Sequence, residues 1–173
     1  MRSRVADHVT EKFIVMLLLT VGIALLALSA IAGGLKTGEA FPDLATFKLE
    51  GALPDIKGKV VLVDFWASWC EPCQKSFPAM NELQQKFGAQ GFAIIAVNVD
   101  ENRADMEKFL KGHPANFAVV RDAKQALVDK VSIGTMPSSF LLDREGKVVA
   151  AHSGFEGDAT KKKYDAEISA LLK

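Results

Sequence analysis

Cys70 and Cys73 are the only cysteines of the chain, two residues apart in 60-VVLVDFWASWCEPCQKSFPAM-80. Sulfur nucleophiles at this spacing can supply half of a metal site, anchor a haem, form a small structural bridge, or cycle between dithiol and disulfide. A structural zinc site takes about four ligands. The histidines, His8, His113 and His152, have no spacing that would complete such a set, so no metal is expected. Haem attachment requires a histidine directly after the second cysteine, and Gln74 stands there. A bridge closing so small a loop constrains the unfolded chain little. The redox cycle accounts for more of the pattern. Its nucleophile is a thiolate, which a helix N-terminus stabilises through backbone N–H groups and the macrodipole. Cys70 is expected to be the exposed nucleophile, and Cys73, one turn in and more buried, the resolving thiol. Pro72 suits a first helical turn.

The surrounding elements must then be a strand that ends and a helix that begins at Cys70. Val60 to Phe65 reads as a buried strand, apolar on both faces apart from Asp64. Gln74 to Phe87 reads as a helix, with Phe77, Met80, Leu83 and Phe87 at three- and four-residue spacing. Pro78 should kink it, and Gly88 and Gly91 should end it. Phe92 to Val99 reads as a second buried strand, Arg103 to Lys111 as a helix, Phe117 to Val120 as a short strand, and Ala123 to Lys130 as a short helix. Ser138 to Leu142 and Lys147 to His152 form a hairpin around Asp143-Arg144-Glu145-Gly146. Asp158 to Leu172 is a terminal helix with Asp158 as its N-cap and Tyr164, Ile168, Leu171 and Leu172 on its apolar side. Phe47 to Leu49 and the turn at Gly51 predict a short edge hairpin ahead of Val60. Alternating strands and helices followed by a hairpin and a helix argue an α/β class, a mixed central sheet sandwiched by helices. A carboxylate in a buried strand is costly to ionise, so the pKa of Asp64 should rise.

These residues carry a resemblance. The Trp-Cys-Glu-Pro-Cys run preceded by Val-Asp-Phe-Trp-Ala-Ser resembles the active site of the thioredoxin superfamily. With 38-GEAFPDLATFKLEG-51 and 56-IKGKVVLVDFWASWC-70, it is similar to the TlpA/ResA/CcmG group of exported thiol-disulfide oxidoreductases, over about Gly38 to Leu172. The resemblance implies a thioredoxin fold with an N-terminal β addition, and catalysis by Cys70, Cys73 and Asp64. The strand aspartate would move the proton of Cys73. It implies that Pro137, in Thr135-Met136-Pro137-Ser138, is cis and faces the dithiol, with Met136 offering backbone hydrogen bonds to substrate. Trp69, Glu71, Pro72, Thr135, Met136 and Pro137 would contact substrate, and Trp66 and Trp69 would be apolar cover for the site. The chain departs from its group in two places: Asp64 stands where Asn is common, and Ser76 where several members carry Glu. Proton handling is therefore expected to follow the thioredoxin arrangement. The peroxiredoxin pattern is absent, since Ala67 and Val63 stand where its Thr and Pro would be.

Phe13 to Leu35 carries no charged residue. As a helix it would reach roughly 34 Å, enough to cross a hydrocarbon core of about 30 Å. Arg2, Arg4 and Lys12 before it favour a cytoplasmic N-terminus and export of the rest. A retained anchor is expected on length, although Ala30-Ile31-Ala32 also fits a signal-peptide cleavage site. The expected organisation is residues 1–35 as cytoplasmic flank and transmembrane anchor or signal peptide, and residues 36–173 as the exported domain. Lys36 to Pro42 reads as a linker. Lys+Arg and Asp+Glu are equal at 21 each, which gives no excess charge for nucleic acid.

The expected function is reduction of disulfides in exported proteins, apocytochrome c among them, by a Cys70/Cys73 dithiol cycle that needs no cofactor. The resemblance implies reduction by a membrane thiol-electron carrier of the DsbD/CcdA type, and residence in a bacterial inner membrane with the domain in the periplasm. Glu71 beside Cys70 should oppose the thiolate and favour the reductase direction. A periplasmic disulfide oxidant, or a copper-delivery or chaperone-like protein for oxidase maturation, are the alternatives.

Overall fold

The computed structural model describes residues 34–173, which form one compact unit. The expected membrane segment, Phe13 to Leu35, lies outside these residues except for its last two positions. Among the described residues no helix is long and apolar enough to cross a membrane.

Five strands form one sheet in the order β3-β2-β1-β4-β5: β1 Val60–Trp66, β2 Phe92–Asn98, β3 Ala118–Arg121, β4 Ser138–Leu142 and β5 Val148–Ser153. β1, β2 and β3 are parallel, while β4 runs antiparallel to β1 and β5 antiparallel to β4. Every residue of β1 and β2 is buried, as runs that are apolar apart from Asp64 and the final Asn98 require of strands covered on both faces. Four helices connect or close the sheet: α1 Glu71–Phe87, α2 Arg103–Gly112, α3 Ala126–Val131 and α4 Asp158–Leu171. The mixed sheet between helices is the thioredoxin-type architecture that the sequence predicted.

Strand parity assigns the two faces. Phe65 meets Phe140 edge-on, ring centroids 6.0 Å apart, and Phe140 meets Phe41 at 5.5 Å. The N-terminal segment therefore covers that face. The opposite face of β1, bearing Asp64 and Trp66, looks toward α1 and α4. Those helices lie side by side, joined by Lys86 with Asp165 at 2.6 Å and by Lys161 with Glu82.

Several expectations are corrected. The hairpin at Phe47 to Gly51 does not form. A 3-10 turn at Leu44–Thr46, with Asp43 accepting from the Ala45 N–H, is followed by a single backbone bridge, Glu50 to Arg121. The segment has too few consecutive pairing residues to build a strand, but it blocks the β3 edge. Lys36 to Pro42 is no free linker either. The Gly38 N–H donates to the Val148 carbonyl, the Phe41 N–H to that of Gly146, and Phe41 is buried. Gly51 has φ 119° and its missing Cβ would sit 2.9 Å from the Val119 carbonyl oxygen, so that close approach admits only glycine. Asp158 does not cap α4. It opens the helix, Gly157 holds the cap position, and the acidic side chain there still suits the positive end of the helix. α1 begins three residues earlier than the apolar spacing predicted, because Cys70 itself is its cap. Pro78 lies inside that helix, which runs on to Phe87 and the Gly88 cap as expected.

Candidate active site

Cys70 occupies the junction that the chemistry demands. β1 ends at Trp66, three residues form a turn closed by the Cys70 N–H to the Ala67 carbonyl, and α1 starts at Glu71. Cys70 and Cys73 are joined as a disulfide, S–S 2.05 Å, and Cys70 Sγ accepts the Cys73 N–H at 3.2 Å. The sulfur of Cys70 thus receives an otherwise unpaired donor of the first helical turn, the interaction that would favour its thiolate. Pro72, in the same turn, needs no N–H partner. The exposed Cys70 expected from the sequence is corrected in degree: the residue is 5% exposed against none for Cys73, yet it lines an open groove. Asymmetry between the thiols comes from which one faces the groove.

That groove encloses about 550 Å³. One side is Trp69, Cys70, Glu71 and Pro72. The other is Ile133-Gly134-Thr135-Met136, with Val128 of α3 completing it. The Met136–Pro137 bond is cis. Pro137 is buried and does not line the groove, whereas Met136 does. The groove therefore brings together Trp69, Glu71, Pro72, Thr135 and Met136, and Pro137 is not part of its lining. Val128, Ile133 and Gly134 were not anticipated. Trp66 is fully buried and packs on Phe77 and Phe109 at 4.9 and 4.7 Å, a core position. Trp69 is 70% exposed, the one large hydrophobic side chain so exposed among the described residues.

Among the described residues, Glu71 is the only charged one lining the groove. Lys75, one turn on, donates to it at 2.7 Å and holds its carboxyl below the usual range. The pairing blunts the repulsion that Glu71 was expected to exert on a Cys70 thiolate.

Asp64 lies in the middle of β1, opposite Ser139 of β4, and is 1% exposed. Ser139 Oγ donates to Asp64 Oδ1 at 2.5 Å and lies 2.9 Å from Tyr164 Oη of α4. Asp64 Oδ2 is buried with no protein partner. Burial raises the carboxyl to about 7, against the smaller opposing effect of the Ser139 bond. The sequence expectation of a raised value is met. Cys73 is buried in the first turn of α1, on the face of the sheet to which Asp64 points.

Asp100, unnoticed in the sequence, fixes the turn before the dithiol. It is 3% exposed, and its carboxylate accepts the Ser68 N–H and Oγ–H, each at 3.1 Å, and the Asn98 side-chain amide at 2.8 Å. Its position just beyond β2, beside the end of β1, was the available signal: the carboxyl ends of adjacent parallel strands converge on one site. Asp100→Ala would strand these buried donors. A loss of about 3 kcal/mol in urea unfolding is expected, with a fall in activity because Ser68-Trp69 loses its anchor.

Comparison with known proteins places this geometry among relatives. The Redoxin family model matches residues 36–168. The thiol-disulfide oxidoreductase ResA of Bacillus subtilis (strain 168) is 35% identical over 146 residues, covering 81% of this chain and 82% of that protein. A ResA of Bacillus cereus is 35% identical over 140 residues, covering 79% of each chain. Among solved structures, a Chlorobium tepidum chain described as a thiol:disulfide interchange protein DsbE superposes with TM-score 0.75 at 44% identity. It covers 80% of this chain and 99% of its own.

Proposed function

The chain belongs to the Redoxin family, as a TlpA/ResA/CcmG-like thiol-disulfide oxidoreductase of the thioredoxin superfamily, and on that premise we propose that it works as a reductase of disulfides in exported proteins. The observation that carries this reading is the Cys70–Cys73 pair at a helix N-terminus, opening on a groove whose lining, among the described residues, contains no cation. A disulfide oxidant keeps its nucleophile as a strongly stabilised thiolate. Here the helix terminus alone supplies that stabilisation, and the paired Glu71 adds none.

The proposed cycle uses the dithiol and the strand carboxyl. The Cys70 thiolate attacks one sulfur of a substrate disulfide, forming a Cys70–substrate disulfide and expelling the other substrate sulfur as a thiolate, which takes a proton. The Cys73 thiol gives its proton to Asp64, and the resulting thiolate attacks Cys70 Sγ. The Cys70–Cys73 disulfide closes, and the second substrate thiolate leaves. Two electrons pass from the cysteine pair to the substrate. A membrane thiol carrier of the DsbD/CcdA type would reduce the pair again, with residues 13–35 keeping the domain at the periplasmic face of a bacterial inner membrane. An apocytochrome c segment, with its own Cys-x-x-Cys disulfide, is the proposed substrate.

Mixing the reduced full-length chain with an oxidised Cys-x-x-Cys-His peptide tests this. Two peptide thiols should appear for each Cys70–Cys73 disulfide formed. A peptide that stays oxidised, beside a chain that stays reduced, would contradict the proposal. Trp69, exposed at the mouth of the groove, is expected to contribute binding rather than chemistry. Trp69→Ala should raise KM for the peptide about tenfold with kcat little changed, the effect of losing one aromatic anchor. Steady-state kinetics would read both constants.

A further inference from the structure

Asp64 is held in an unusual way for a buried carboxyl. It makes no ion pair among the described residues, and its hydrogen bond comes from one hydroxyl. A serine hydroxyl has a single proton. With Asp64 ionised, Ser139 directs that proton to Asp64 Oδ1, and the 2.9 Å contact with Tyr164 is then donated by the tyrosine. Two hydroxyls thus point in series, from α4 through β4, at one oxygen of a carboxyl in β1. The phenol keeps its proton: burial and the nearby Asp64 charge both push its pKa up. The pair is therefore a fixed donor chain, not a path along which a proton leaves. The second oxygen, Oδ2, is buried and has no hydrogen-bond partner among the described residues.

We propose that Ser139 and Tyr164 are positioning residues that anchor Asp64 through Oδ1 and set its proton affinity, leaving Oδ2 as the atom that exchanges a proton with Cys73. The inference rests on the reading of Asp64 as the base for Cys73. Two further titratable groups on this side of the sheet are His152 of β5 and Glu167 of α4. They bond to one another at 2.7 Å, with the imidazole against the Tyr164 ring at 4.9 Å. Neither touches the carboxyl. Lys86, Asp165, Lys161 and Glu82 pair with one another where α1 meets α4.

The test follows the Asp64 carboxyl carbon by NMR against pH in the oxidised full-length chain, together with the pH profile of mixed-disulfide resolution. Ser139→Ala removes the donor to the anionic form, so the titration midpoint should rise by roughly one to two pH units, the worth of a hydrogen bond to a charged group. Tyr164→Phe should move it less, in the same direction. Ser139→Thr keeps the hydroxyl and should restore the wild-type midpoint, which a merely space-filling serine would not require. A midpoint unmoved in Ser139→Ala overturns the inference. A midpoint that moves without the resolution profile following it leaves the two hydroxyls setting proton affinity but removes Asp64 as the base, so the two failures are separable.

Discussion

Cys73→Ser accumulates a covalent complex with a disulfide substrate, and Cys70→Ser forms none. This pair of outcomes is the largest effect expected from any substitution in the protein. Cys70 lines the groove, so its thiolate reaches an incoming disulfide, whereas Cys73 is wholly buried and can reach only Cys70. Removing Cys73 leaves the first exchange intact and blocks the second, so the mixed disulfide persists on a non-reducing gel. Removing Cys70 drops turnover to the uncatalysed background, because the remaining thiol has no access. If Cys73→Ser turned over normally, or if Cys70→Ser trapped substrate through Cys73, the assignment of attacking and resolving sulfurs would be reversed or void.

Asp64→Asn should change both rate and stability, in opposite directions. Asparagine cannot take the Cys73 proton, so resolution should slow by about a hundredfold or more, the usual worth of a placed general base. The dependence of that step on pH near 7 should also flatten. The stability effect has a definite sign. In the folded state the carboxyl titrates at about 7, against an unfolded value of 3.8, so the raised group binds its proton more tightly when folded. Between those values the unfolded chain has released a proton that the folded chain still holds. Wild-type stability therefore falls as pH rises from about 4 to about 7, by about 4 kcal/mol, and levels off above that. Asp64→Asn carries no such titration. Its stability relative to wild type should grow by that amount across the window, as urea unfolding at pH 4 and pH 8 would show. Parallel curves at the two pH values would mean that Asp64 is not buried as an ionisable group.

The strands and helices were legible because β1 and β2 are apolar runs apart from Asp64 and Asn98, and α1 repeats its apolar residues every three or four positions. The dithiol was legible for a similar reason: its meaning lies in local spacing, and the cap, the first-turn proline and the strand before it are all neighbours in the chain. What escaped depends on register between distant segments. Ser139 faces Asp64 only because β4 pairs antiparallel with β1 in one particular alignment, and a shift of one residue would turn it to the other side of the sheet. Tyr164 was readable as an apolar-side residue of the terminal helix, but not as a donor, since its partner comes from β4. Asp100 reaches Ser68 across 32 positions of chain. The predicted hairpin at Phe47 failed because its residues bridge a pre-existing edge, Glu50 to Arg121, instead of each other. Trp66 and Trp69 look alike in the sequence. Position along β1 separates them: Trp66 is the last strand residue and enters the core, while Trp69 sits on the turn and faces solvent.

The reductase direction rests on how far the site favours a thiolate at Cys70, and the reduction potential of the Cys70–Cys73 couple reports that directly. Equilibrating the full-length chain against defined dithiol and disulfide mixtures should give a value near the thioredoxin region, about −270 mV. That is expected because, among the described residues, no cation lines the groove to stabilise the reduced form. A value near about −120 mV would contradict the account and make the protein a donor of disulfides.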